Sequence, residues 1–168
     1  CAPAGSPSCA RPAIAACGRL PTRLHQAYLE EYESADLLIH DSPFTVDYDL
    51  FAGTDDKPRV YNAYNCEAQL YAQLHPGDKS QPIHELVRAA ERRMLETADL
   101  VLYCNEDDLK AFRQLAPDAE FEALYAPNGM TPTTAAGRVP DNDTAFRAVF
   151  MGSGHPPNVQ AADFIART

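Results

Sequence analysis

Polar residues that could bind a ligand follow the ends of several short apolar runs in this sequence. If these runs are parallel strands, their carboxyl ends meet at one edge of a sheet, where ligands bind in open α/β folds. The candidates at that edge are His40, Asp41 and Ser42 after the first run, Tyr64, Asn65 and Glu67 after the second, Cys104 and Asn105 after the third, Asn128 after the fourth, and Gly152, Ser153 and Gly154 after the fifth.

Most of these candidates also fit a purely structural role. His40 suits a ligand contact and a hydrogen-bonded loop histidine equally well, and Glu67 could simply favour a helix N-terminus. Asn105 and Asp108 are typical of a helix cap. Cys104 is typical of a packed thiol, because no residue near it in sequence would activate it.

Gly152, Ser153 and Gly154 predict a tight turn between a strand and a helix. Such a turn aims backbone N–H groups and a helix N-terminus at the space above it, which favours a phosphate group. The pattern is neither a dinucleotide-binding GxGxxG nor a P-loop, so it is also consistent with a turn that binds nothing.

Helical and strand patterns alternate along the chain. Helical spacing of apolar residues predicts helices over 22–34, 67–74, 82–98 and 105–115, and short apolar runs predict strands over 36–40, 59–64, 99–104 and 121–125. Continuous apolar runs of this kind are expected in strands that are buried on both faces of a sheet. The alternation predicts an α/β fold, a Rossmann-like parallel sheet flanked by helices.

A boundary is expected after residue 127. Pro127 ends the fourth strand, and Asn128 and Gly129 tolerate positive φ, so they are candidate hinge residues. We expect a loop over 1–21, a partial domain over 22–127, a linker over 128–145 and the start of a second Rossmann-like domain, opening with a strand over 146–151, in 146–168. The chain would then be a piece of a longer protein.

Composition excludes several classes of function. The formal net charge of −10 argues against binding to nucleic acid, which needs clustered Lys and Arg. No run is long and apolar enough to predict a transmembrane helix. The 5 cysteines contain no CxxC pair, so zinc spacing is absent and free thiols are expected.

Four segments resemble a known family, the family-4 (group 1) glycosyltransferases of the GT-B fold. Residues 60–67 (VYNAYNCE) are similar to its N-x-H-N-x-E segment, and 91–108 to its E-x-x-L, A-D-x-V and S-x-x-D series. Residues 126–129 (APNG) are similar to its V-P-N-G-V-D, and 149–158 (VFMGSGHPPN) to its F-x-G-S and P-P-N series.

The resemblance implies a fragment of a retaining glycosyltransferase that uses a nucleotide-sugar donor and needs no metal or cofactor. The acceptor, a glycan or a lipid-linked sugar in cell-surface polysaccharide synthesis, would meet His40, Asp41, Tyr64, Asn65 and Glu67. Gly152, Ser153 and Gly154 would face the donor diphosphate. A cytoplasmic enzyme with peripheral association at the inner face of the membrane is implied.

The chain departs from the family pattern at informative places. Tyr64 stands where the family often has His, and a phenol is a poor base at neutral pH, so Tyr64 and Glu67 are only weak catalytic candidates. Thr131 stands where the family commonly has Asp. A non-catalytic Rossmann-like sugar- or nucleotide-binding module, or an inactive glycosyltransferase homologue, therefore remains the alternative. A third possibility, a nucleotide-sugar epimerase, would require GxGxxG and a Tyr-x-x-x-Lys pair, and neither motif is visible in this sequence.

Overall fold

The structure is a computed structural model that describes residues 22–47, 57–129, 149–152, 154 and 156–167. The chain divides between Gly129 and Met130 into two compact units. The leader predicted over 1–21 and the part of the predicted linker over 130–145 lie outside the described residues.

The helices and strands of the first unit lie where the apolar spacing predicts them. Two short 3-10 turns, Pro43–Thr45 and Asp78–Ser80, lie between longer elements. The helices are α1 (Thr22–Ser34), α2 (Glu67–Leu74), α3 (Gln81–Thr97) and α4 (Glu106–Leu115), and the strands are β1 (Leu38–His40), β2 (Arg59–Ala63), β3 (Leu100–Tyr103) and β4 (Glu122–Tyr125).

The four strands form one parallel sheet in the order β1-β2-β3-β4. Val60 of β2 lies beside Ile39 of β1 and Leu100 of β3, and Leu100 in turn lies beside Glu122 of β4. Because all strands run the same way, their carboxyl ends share one edge of the sheet. The predicted Rossmann-like α/β fold, a parallel sheet flanked by helices, is confirmed.

One face of the sheet carries the main hydrophobic core. Tyr61 of β2 and Val101 of β3 point to this face, where they join Met94 and Leu95 of α3 and Phe112 of α4. The strand order explains why these helices share a face. Each crossover from β2 to β3 and from β3 to β4 steps in the same direction, and right-handed crossovers then place their helices on the same side.

The opposite face is more open, so the expectation of strands buried on both faces is wrong for this unit. Side chains alternate along a strand, and Ile39 and Leu124, which point to the second face, are largely exposed. Val60, Leu100 and Leu102 on the same face are half-buried. Buried and half-buried positions alternate along β2 and β3, which is the pattern of a sheet packed on one side.

The second unit is described from Val149, with gaps, to Arg167. It contains one helix, α5 (Pro156–Arg167), and the described residues Val149–Met151 form no strand. The strand predicted over 146–151 is therefore not found in its described part, because the described residues of this unit supply no second strand to pair with it. Across the described part of the whole chain, no helix is long and apolar enough to cross a membrane.

We predict that the same Leu→Ala truncation destabilises the protein more in the core than on the open face of the sheet. Leu95 is 1% exposed and Leu124 is 56% exposed. Leu95→Ala should lower the free energy of unfolding by about 3 kcal/mol through lost burial and a cavity, whereas Leu124→Ala should cost less than about 1 kcal/mol. Urea denaturation followed by circular dichroism measures both. Equal losses would show that the open face is covered in solution.

Candidate functional site

A row of three polar side chains lies at the carboxyl ends of β1 and β2. The amide nitrogen Nδ2 of Asn62 donates to Oδ1 of Asp41 at 2.8 Å and to the hydroxyl Oη of Tyr64 at 3.3 Å. Tyr64 is 51% exposed, and Asp41 is exposed as well. Neighbouring parallel strands thus bring together two predicted site residues, and Asn62, which was not predicted, joins them.

His40 and Ser42 do not belong to this row. His40 is 8% exposed and its Nδ1 lies 3.2 Å from Oγ1 of Thr45, in a cavity of about 270 Å³ lined also by Tyr28 and Leu38. Oγ of Ser42 accepts the backbone N–H of Phe44 at 3.3 Å and caps the 3-10 turn. Because side chains alternate along a strand, His40 points away from the face that Asp41 faces.

The loops after β3 and β4 are held mainly by local contacts. The side chain of Asn105 accepts the backbone N–H of Asp107 at 3.0 Å, which confirms the helix cap at the start of α4. The thiol of Cys104 donates to the backbone carbonyl of Ala126 at 3.3 Å. Tyr125 is half-exposed, and its ring centroid lies 5.5 Å from that of Tyr103.

The hinge candidates Asn128 and Gly129 are exposed at the end of the first unit. Among the described residues, Gly77 alone has a positive φ, so the left-handed turn that Asn128 and Gly129 would tolerate is not present. The sequence Pro127-Asn128-Gly129 therefore continues without the sharp reversal that its residue types allow.

A buried carboxylate lies directly beneath the Tyr64 loop. Oε1 of Glu91 accepts the backbone N–H of Glu67 at 2.8 Å, and Oε2 accepts that of Ala68 at 2.7 Å. The hydroxyl of Tyr61 donates to Oε1 at 3.0 Å, and the thiol of Cys66 lies 3.5 Å from Oε2. Glu67 is the first residue of α2, and Asn65 is exposed just before it.

Glu91 is not among the site residues predicted from the sequence, and Asp108 was predicted only as part of a helix cap. Asp108 does not complete a capping box in its own helix, since its Oδ1 accepts the backbone N–H of Cys66 at 3.1 Å. A signal for Glu91 was present in the sequence. It lies four residues after Val87 and three before Met94, so a carboxylate interrupts the apolar face of the predicted helix.

Burial dominates the electrostatics of this cluster. It raises the pKa of Glu91 above its ordinary value, while the N–H groups of Ala68 and Glu67 oppose that rise. Burial, and then the nearby Glu91 charge, raises the pKa of Tyr61 well above its ordinary value. The same two causes raise the pKa of Cys66 to about 12. Tyr61 and Cys66 therefore keep their protons at neutral pH and act as donors.

The glycines of the second unit have different surroundings. A Cβ atom added to Gly152 would lie 3.0 Å from Cβ of Asn158 on α5, whereas one added to Gly154 would meet nothing within 4 Å. Close packing against α5 therefore accounts for Gly152. The open space at Gly154 leaves its backbone accessible, and Ser153 lies outside the described residues.

The described ranges contain no group of three or more His, Cys, Asp or Glu side chains that could hold a metal ion. No known protein family, curated protein or solved structure matches this chain.

We predict that Cys66 resists alkylation in the native protein. It is 2% exposed, and its pKa, raised to about 12, keeps the thiol protonated at pH 8. Peptide-resolved mass spectrometry after iodoacetamide treatment should show Cys104 modified well before Cys66, and both modified equally in urea. Equal native rates would contradict the burial of Cys66.

The same shift predicts a loss of stability at high pH. The unfolded thiol loses its proton near its ordinary value of 9.0, while the folded thiol keeps its proton up to about 12. The folded state therefore binds more protons between these values, and stability falls as pH rises through that window. Cys66→Ala should flatten this dependence in urea denaturation measured from pH 8 to pH 11. An unchanged slope would contradict the shift.

Proposed function

We propose that this chain is part of a retaining glycosyltransferase that moves a sugar from a nucleotide-sugar donor to a glycan or lipid-linked acceptor. The observation that carries the proposal is the hydrogen-bonded row Asp41, Asn62 and Tyr64 at the carboxyl edge of a parallel sheet. This edge is where open α/β folds bind their ligands. The order of the four segments that resemble family-4 glycosyltransferases supports the same function.

The chemistry of the row suits a sugar acceptor. A carboxylate, an amide and a phenol together supply both acceptors and donors for sugar hydroxyls. The exposed ring of Tyr64 offers an apolar face against which the C–H face of a pyranose can pack. Polar groups converging beside an exposed aromatic ring are typical of a site that orients a small polar ligand.

The donor would require stabilisation of a leaving nucleoside diphosphate. In the transfer, the acceptor oxygen bonds to the anomeric carbon while the bond from that carbon to the diphosphate breaks. The diphosphate keeps the electron pair, and one of its oxygens can take up the acceptor proton. The exposed backbone of Gly154 and the positive end of the α5 helix dipole are suited to the negative charge that develops. Pro156 and Pro157 open this helix without N–H groups, so they add no donor there.

No side chain of this row is assigned as a general base. Tyr64, in the position where the resembled family often has His, is proposed to bind the acceptor and not to remove a proton.

The product of the transfer would be a cell-surface polysaccharide. A lipid-linked acceptor would bring the protein to the cytoplasmic face of the membrane by peripheral association.

The decisive assay incubates the full-length protein with UDP-, GDP- and ADP-hexoses, with and without oligosaccharide and lipid-linked acceptors. We expect release of nucleoside diphosphate from at least one donor, and NMR of the product should show the anomeric configuration of the donor retained. No release from any donor would overturn the proposal. Acceptor binding without turnover, measured by saturation-transfer NMR, would support the non-catalytic binding module instead.

Tyr64 variants test the acceptor site within that assay. Tyr64→Phe keeps the ring and loses one hydrogen bond, so the acceptor KM should rise about threefold, whereas Tyr64→Ala should raise it at least about tenfold. Arg92→Gln, on the exposed side of α3, is the control and should leave KM unchanged. If Tyr64→Ala behaves like Arg92→Gln, the row does not bind the acceptor.

A further inference from the structure

The N-terminus of α2 lacks a cap from its own residues. Cys66 occupies the capping position, and its side chain makes no capping hydrogen bond there. A helix normally satisfies its first N–H groups with a nearby Ser, Thr, Asp or Asn. Here the N–H groups of Cys66, Glu67 and Ala68 are instead accepted by side chains 23 to 42 residues away along the chain.

The two acceptors come from different helices. Glu91 lies on α3 and takes the N–H groups of Glu67 and Ala68, while Asp108 lies on α4 and takes that of Cys66. Three consecutive backbone groups are therefore tied to the helical layer of the sheet. The loop that ends at Cys66 is the one that presents Tyr64 and Asn65 at the carboxyl edge.

The hydrogen bonds of Glu91 define what it does. The residue is 0% exposed, and all four groups around its carboxylate are donors, namely two backbone N–H groups, a hydroxyl and a thiol. Burial of a carboxylate is costly unless donors and favourable dipoles surround it. The N-terminus of α2 supplies both, so the side chain is held as an acceptor and does not reach the exposed edge.

We propose that Glu91 and Asp108 are positioning residues that set the Tyr64–Asn65 loop for acceptor binding. A local Ser or Asn at position 66 would cap α2 equally well but would leave the loop free to move relative to α3 and α4. Remote carboxylates remove that freedom. The inference rests on the proposed function for its consequence in transfer, while the positioning itself can be measured without any ligand.

Asp108 offers the sharper test because it is half-buried and lies in the first turn of a helix that tolerates Ala. Asp108→Ala removes the acceptor of the Cys66 N–H, whereas Asp108→Asn retains an oxygen in the same place. Hydrogen exchange by NMR should show the Cys66 amide exchanging about tenfold faster in Asp108→Ala, but within about threefold of wild type in Asp108→Asn. The amide of Phe112, in the middle of α4, is the internal control and should not change.

Glu91→Gln examines the second acceptor. One carboxylate oxygen becomes an NH2 group that faces a backbone N–H, so exchange at Glu67 or Ala68 should accelerate at least about tenfold. If Glu91→Gln does not fold, because Glu91 is fully buried, the comparison of Asp108→Ala with Asp108→Asn decides whether the loop is positioned in this way. Unchanged exchange at Cys66 in Asp108→Ala would overturn the inference.

The acceptor kinetics of the full-length protein supply the functional readout. Asp108→Ala should lower kcat/KM for the acceptor about tenfold and leave hydrolysis of the nucleotide-sugar unchanged, and Asp108→Asn should restore it. Faster exchange with normal acceptor kinetics would overturn the inference while the glycosyltransferase proposal stands. If the wild-type protein transfers no sugar, the proposed function fails, and the exchange data alone test the positioning.

Discussion

The carboxylate of Glu91 is the interaction on which the candidate site depends. It joins the middle of α3, the hydroxyl of Tyr61 on β2 and the first turn of α2 through four donors to one side chain. Removing the charge from water is unfavourable, and only this set of donors makes the burial tolerable. The same donors define where α2 begins, and therefore where the loop after β2 presents Tyr64.

The direction of the chain crossovers shapes the surroundings of that site. Because β1, β2, β3 and β4 are added in order, the connections after β2 and β3 build one helical layer against one face. All four carboxyl ends then lie at one edge, with the helical layer behind them. The polar row Asp41, Asn62 and Tyr64 lies where this edge meets the more open face, which explains why Tyr64 is exposed while Tyr61, three residues earlier, is buried.

Local patterns predicted the elements of the first unit closely. The apolar spacing from Ile83 to Met94 places α3 within one or two residues of its observed ends, because a helix that packs on a core must repeat its apolar residues every 3.6 positions. The cap at Asn105 was also predictable, since a capping side chain acts on the residues that follow it directly. The prediction of strands buried on both faces failed, because an apolar run is equally compatible with a sheet packed on one side.

The α/β class, the helices and strands of the first unit and the edge at which polar residues collect follow from the sequence alone, because these depend on short-range periodicity and turn chemistry. The partners of the site residues follow only from the packing of the fold. Asn62 joins Asp41 across two strands, Glu91 and Asp108 reach the start of α2 from two other helices, and His40 turns inward. Contacts between residues 21 to 42 positions apart leave no periodic trace, since they arise from packing that brings distant segments together.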